Sequence, residues 1–179
     1  MAVRRKPSVE GPLPIRSQSP KSSPAAERDP LDNFLWNVVS ISNHFEDISF
    51  AWAHMLGVNV HQWMILMAIK DTDSGGGVSV KGVSAKLHAD SSFVTAQSKE
   101  LEKLGFLKRT PSPEDGRVVL MSLTSKAVKE IADLHAMREP VRQSILLDLS
   151  DKEVAQLNKL LNILRERFER AAKRMTAEL

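Results

Sequence analysis

From residue 30 onward the apolar positions fall into helical rows, interrupted by one stretch that alternates. Leu31, Phe34, Leu35, Val38, Ile41, Phe45, Ile48, Trp52 and Met55 recur at spacings of three and four. They lay one apolar stripe along a helix of about seven turns. Asp29 is suited to cap that helix, and Pro30 to its first position, where its missing N–H has no intrahelical partner in any case. The helix is expected to end near Gly57. A second helix opens at Asn59, with Gln62 three residues on to complete a capping box. It continues through Trp63, Met64, Leu66, Met67 and Ile69 until the run Asp73-Ser74-Gly75-Gly76-Gly77 breaks it.

Ser79 can cap a short third helix, Val80 to His88, that buries Val83 and Leu87. Asp90 can cap a fourth, Ser91 to Leu104, that buries Val94 and Leu101 and stops at Gly105. Two short helices joined by His88-Ala89-Asp90 form a helix–turn–helix. The period then changes from helical to alternating. Phe106 to Thr110 reads as one strand and Arg117 to Leu123 as another, with Pro111-Ser112-Pro113-Glu114-Asp115-Gly116 as the turn between them. A hairpin directly after a helix–turn–helix is a wing. Thr124 can cap a further helix carrying Val128, Ile131, Leu134 and Met137, which Pro140 should kink or interrupt. Ser150 and Glu153 form a capping box for the last helix. Its stripe is Val154, Leu157, Leu160, Leu161, Leu164, Phe168 and Met175.

The fold class expected is therefore mainly α with a small β wing: a winged helix–turn–helix domain over residues 58–123, with long helices over 30–57 and 124–179. Residues 1–29 carry five prolines among serines and charges, a composition that reads as a disordered basic tail. The two terminal helices are amphipathic, and the small winged unit cannot cover both stripes. Pairing with the same surface of a second chain, as a homodimer, meets that need. Packing of the two helices on each other within one chain is the other solution.

Composition narrows the chemistry. Apolar residues make up 42% of the 179, and no apolar run approaches the ~20 residues that span a bilayer. The protein is expected to be cytoplasmic and nucleoid-associated. Cysteine is absent, which removes disulfides and thiolate chemistry. His44, His54, His61, His88 and His135 are scattered, without a metal-ligand spacing. No nucleophile elbow or phosphate loop occurs either, so neither catalytic residues nor cofactors are expected. Net charge is +3, but residues 76–129 alone hold nine basic side chains against five acidic ones. A basic segment that coincides with the winged unit suits phosphate contact.

In order and spacing these features resemble the MarR family of winged helix–turn–helix transcription regulators, over roughly residues 31–179. The wing carries most of the likeness: Asp115-Gly116-Arg117 followed by alternating apolar residues into Leu123-Thr124. Ser92-Phe93-Val94-Thr95 with Leu101-Glu102-Lys103-Leu104-Gly105-Phe106-Leu107 adds to it, as does Gln62-Trp63 followed by Leu66. Three positions depart from the family pattern. Ala96 and Glu100 stand where a basic residue is frequent, and Ala127 where glycine is common.

The resemblance implies a homodimeric repressor that binds a pseudo-palindromic operator and is released by a small effector, an aromatic acid or a coenzyme A thioester. With Val94 and Leu101 buried, the fourth helix would offer Ser91, Ser92, Thr95 and Lys99 to the duplex, with Gln97 at the margin. Arg117 would enter the minor groove, with Asp115 orienting it or a neighbouring base, and Lys81, Lys108 and Arg109 would contact phosphates. His44, Trp52, His61 and Trp63 lie on helices expected to line the effector crevice, although core packing explains the tryptophans as readily. The alternative function is a winged-helix protein-interaction module that does not bind DNA, which Asp90, Glu100 and Glu102 near the reading helix would suit.

Overall fold

In a computed structural model of the chain, residues 29–177 are described; the tail expected over 1–29 lies outside them but for its last residue. Helix α1 spans Pro30–Leu56 and is opened by the Asp29 carboxylate, which accepts the Leu31 N–H at 2.9 Å. The chain divides inside this helix into two units, Met1–Asn43 and His44–Leu179. In the first, the described residues form the N-terminal half of α1, with Leu31, Leu35, Trp36, Val38, Val39 and Ile41 exposed.

The second unit continues α1 and adds α2 (Val60–Thr72), β1 (Val78–Ser79), α3 (Val80–Leu87), α4 (Ser91–Lys103), β2 (Leu107–Pro111), β3 (Val119–Leu123), α5 (Ser125–Ile145) and α6 (Asp151–Ala177). The caps fall where side-chain acceptors meet orphan N–H groups. Asn59 and Gln62 exchange both hydrogen bonds of a capping box, and Ser79, Asp90 and Thr124 accept from Gly82, Ser92 and Ala127. Ser150 and Glu153 do the same for α6.

The three strands form an antiparallel sheet in the order β1-β3-β2, with Leu107 opposite Leu123 and Val78 opposite Met121. The strand β1 is not visible in the hydrophobic pattern, being two residues long. It is placed by Gly77, whose φ of +79° turns the chain out of the loop. A Cβ there would stand 3.2 Å from Leu120 Cβ and 2.9 Å from the Ser122 hydroxyl, so the close approach to β3 adds to the preference for glycine. The two wing strands lie one or two residues C-terminal of the expected starts.

One core joins these elements. Ile65, Leu66 and Ile69 from α2, Val83, Val94 and Leu101 from α3 and α4, Met121 from β3 and Ile131 from α5 are all essentially inaccessible to solvent. Leu87 is only half-buried. Ala53 and Leu56 at the end of α1 and Ala127 and Leu134 on α5 belong to the same cluster, so the flanking helices contribute to the core of the winged unit. Pro140 does not interrupt α5, which runs through it to Ile145. The proline removes one ladder bond, and the helix continues past it through Val141 and Ile145, which border the same cavity as Arg138 before it. By contrast, α6 buries no residue, and Leu157, Leu160, Leu161, Ile163, Phe168 and Met175 are exposed.

Candidate nucleic-acid interface and ligand cavity

Helices α3 and α4 meet through a tight turn in which His88 takes a left-handed conformation (φ 50°) and Ala89 donates back to the Ser84 carbonyl. Two side-chain pairs fix α4 in place. The Ser91 hydroxyl donates to Ser84 Oγ at 3.0 Å, tying α4 to α3. Asn59 Nδ2 donates to Gln97 Oε1 at 3.3 Å, tying it to α2. The Thr95 hydroxyl donates to its own helix, at the Ser91 carbonyl, 2.7 Å away.

These bonds alter the expected reading face. Of its five polar side chains, Ser91 and Gln97 are engaged in holding the helices together and Thr95 bonds within α4, while Ser92 and Lys99 stand exposed. Glu100 pairs with Lys103 at 2.7 Å on the same outer surface. What sequence reasoning did not include is Phe93, which remains 38% exposed beside exposed Ala96. Its ring meets His61 of α2 edge-on, 5.2 Å between centroids and 83° between planes.

In the wing, the Asp115 carboxylate accepts the Arg117 backbone N–H at 2.9 Å, and Ser112 N–H donates to the Val118 carbonyl at 2.7 Å, closing the loop. Asp115 thus shapes the turn through the main chain of Arg117, whose side chain is exposed. Lys81 on α3 and Lys108 on β2 are exposed as well. Arg109 differs: alternation along β2 puts it on the face of buried Leu107, and its Nε is buried with no hydrogen-bond partner. Lys86 is engaged by Asp71, whose carboxyl is held below the usual range by the hydrogen bond and charge of that ammonium.

A cavity of about 440 Å³ opens on the far side of α2, between that helix, the second half of α1 and α5. Trp52 and Trp63 border it; His44 and His61 do not. The His44 side chain is exposed near Asp47, and His61 faces α4, on a second cavity of about 150 Å³ with Leu87 and Phe93. Met64 borders both spaces. The sequence reading missed the cations of the larger one, Lys70, Arg138 and Arg142. The Arg138 guanidinium lies over both indoles, 5.1 Å from the Trp63 ring centre and 6.0 Å from that of Trp52. Burial pulls its pKa below the ordinary arginine value, and the charge of Arg142 adds to the effect. The signal was present: Arg138 falls on the α5 apolar row, four residues after Leu134 and three before Val141.

A helix–turn–helix braced by a third helix and followed by a two-stranded wing defines a winged helix–turn–helix regulator. A sequence model described as the MarR family matches residues 58–119. Among curated relatives, the HTH-type regulator YfiV of Bacillus subtilis is 31% identical over 66% of this chain and 72% of its own length. The HTH-type transcriptional repressor IacR of Pseudomonas putida is 24% identical over 64% of this chain and 66% of its own length. Among solved structures, CouR of Rhodococcus jostii, bound to p-coumaroyl-CoA, aligns with a TM-score of 0.66 at 20% identity, covering 76% of this chain and 94% of that one. MepR of S. aureus, in complex with DNA, aligns with a TM-score of 0.65 at 14% identity, covering 78% and 99%. At these identities the structural likenesses establish the fold. The chain belongs to the MarR family of transcription regulators and is not an enzyme. No helix of the described residues is long and apolar enough to cross a membrane.

Proposed function

We propose that the chain is a cytoplasmic, homodimeric repressor that binds a pseudo-palindromic duplex through α4 and the wing and is released by a small anionic effector. The observation that carries the reading is the exposure, on one winged unit, of Ser92 and Lys99 on α4 and of Arg117 at the hairpin. A helix–turn–helix lays its second helix in the major groove, and a wing arginine suits the negative potential of a narrow minor groove. Lys81 and Lys108 contact phosphates in this reading. Arg109 contributes less than they do, because its Nε is buried.

Dimerisation is supported by apolar surface left uncovered. Six large side chains of α6 are each between 39% and 68% exposed. Covering them contributes about 1 kcal/mol apiece, against full-burial values of roughly 1.5–3 kcal/mol. A second copy of the chain covers them by two-fold pairing, and two reading helices then face one duplex.

Trp52, Trp63 and Arg138 support the larger cavity as the effector site in this reading, for an aromatic acid or its coenzyme A thioester. The thioester is suggested by CouR, whose structure holds p-coumaroyl-CoA. The effector must bind the conformation that does not hold DNA more tightly than the one that does, since equal affinity shifts nothing. Fluorescence anisotropy with the duplex upstream of the chain's own coding sequence tests the reading. Affinity should fall steeply as salt rises and recover when an aromatic acid is removed. Salt-independent or absent binding would instead support a protein-interaction module.

A further inference from the structure

We propose that α4 reads thymine, through the C5-methyl groups that meet the exposed Phe93 ring and the Ala96 methyl. The inference rests on the duplex-binding reading above and concerns what this helix recognises there.

Direct readout in the major groove uses bidentate arginine or lysine on guanine, asparagine or glutamine on adenine, acids on cytosine, and apolar contact on the thymine methyl. No arginine occurs between Ser91 and Lys103. The Gln97 amide oxygen is held by Asn59, and the donors of Ser91 and Thr95 are committed to Ser84 Oγ and the Ser91 carbonyl. Glu100 is paired with Lys103. Lys99 lies in the third turn, where its long side chain suits a phosphate as well as a base.

The first two turns, which enter deepest, therefore present the Ser92 hydroxyl, the Phe93 ring and the Ala96 methyl. Val94, Ser98 and Leu101 fix the opposite face in the core. Phe93 is also braced: the edge-on contact with His61 limits its rotation, so little order is lost when it meets a base. Of the four bases, only thymine offers an apolar group at that edge.

The test uses the full chain to select duplexes from a random-sequence pool. The selected duplex is then rebuilt with deoxyuridine at each thymine in turn, which removes the methyl and leaves base pairing intact. At one thymine or more in each half-site, wild-type affinity should fall about fourfold, the effect of exposing one carbon's worth of apolar contact. Phe93→Ser should bind the thymine duplex as weakly as wild type binds the deoxyuridine duplex, and should no longer distinguish them. Phe93→Met should retain the discrimination. Ala96→Ser, an exposed substitution that leaves Phe93 in place, gives a second variant should Phe93→Ser melt differently from wild type, and it should narrow the discrimination. Selective binding with equal affinity for thymine and deoxyuridine at every position overturns the proposal and leaves the duplex-binding reading standing. Failure to enrich any duplex overturns both.

Discussion

The guanidinium of Arg138 stands 5.1 Å from the ring centre of Trp63, and its one hydrogen bond among the described residues is to Met67 Sδ at 3.7 Å. Its neighbour Arg142 pairs with Glu139, whereas Arg138 has an aromatic face and, among the described residues, no carboxylate partner. The indole faces offset part of the desolvation of this half-buried cation, and a ligand's negative charge would offset more of it. Arg138→Met keeps the apolar stem and removes the charge. It should leave the melting transition near that of wild type and abolish the upward shift expected with an aromatic carboxylate. A variant that responds to the acid as wild type does would take Arg138 out of ligand recognition.

At the wing, Arg117→Ala should weaken duplex binding and reduce the slope of log affinity against log salt by about one unit, the effect of losing one cation from the phosphate field. The backbone bond from Arg117 N–H to Asp115 survives the substitution, so the hairpin itself is preserved. The salt series separates this from Asp115→Ala, which should weaken binding by loosening the turn while leaving the slope close to wild type.

Core packing gives a larger effect. Leu66 is fully inaccessible at the centre of the cluster that joins α2 to the sheet and α5. Leu66→Ala should destabilise the chain by roughly 2–5 kcal/mol, through lost burial and the cavity left behind. Urea denaturation reads this as a lower midpoint, with ligand-free and DNA-free protein giving the same difference.

The cap of α4 carries a pH signature. Hydrogen bonds from Ser92, and then from the Phe93 N–H, hold the Asp90 carboxyl below its ordinary value of 3.8. The folded chain therefore binds that proton more weakly than the unfolded chain does. The stabilisation is complete above pH 3.8 and is lost as pH falls from there through the lower folded value. Asp90→Ala should lower the melting temperature at neutral pH, and the difference from wild type should shrink toward pH 3. Glu153, lowered from 4.5 by its bonds with Ser150, follows the same sign in α6.

Much of this architecture was legible in local chemistry, because a cap is a short-range event. Asn59, Ser79, Asp90, Thr124 and Ser150 each announce a helix by a side-chain acceptor placed before an apolar row, and each caps the helix expected. The strand β1 was not legible, since two residues have no period and their pairing depends on distant Leu120 and Met121. Side-chain commitments were hidden for the same reason. Asn59 and Gln97 are far apart in sequence, and nothing local reveals that one engages the other. Trp52, His61 and Trp63 were grouped by the helices they lie on, whereas His61 sits two residues before Trp63 and therefore points to the opposite side of α2. Arg138 looks like an ordinary solvated charge until the apolar row around it is followed along α5.

The central claim is that two copies of this chain hold their α4 helices to one duplex. Sedimentation velocity of the chain with a labelled duplex from upstream of its own coding sequence measures this directly. The account predicts a free protein of two chains and a complex of two chains per duplex that dissociates as salt is raised. A single-chain mass in solution, together with no salt-sensitive complex on any duplex, would contradict it.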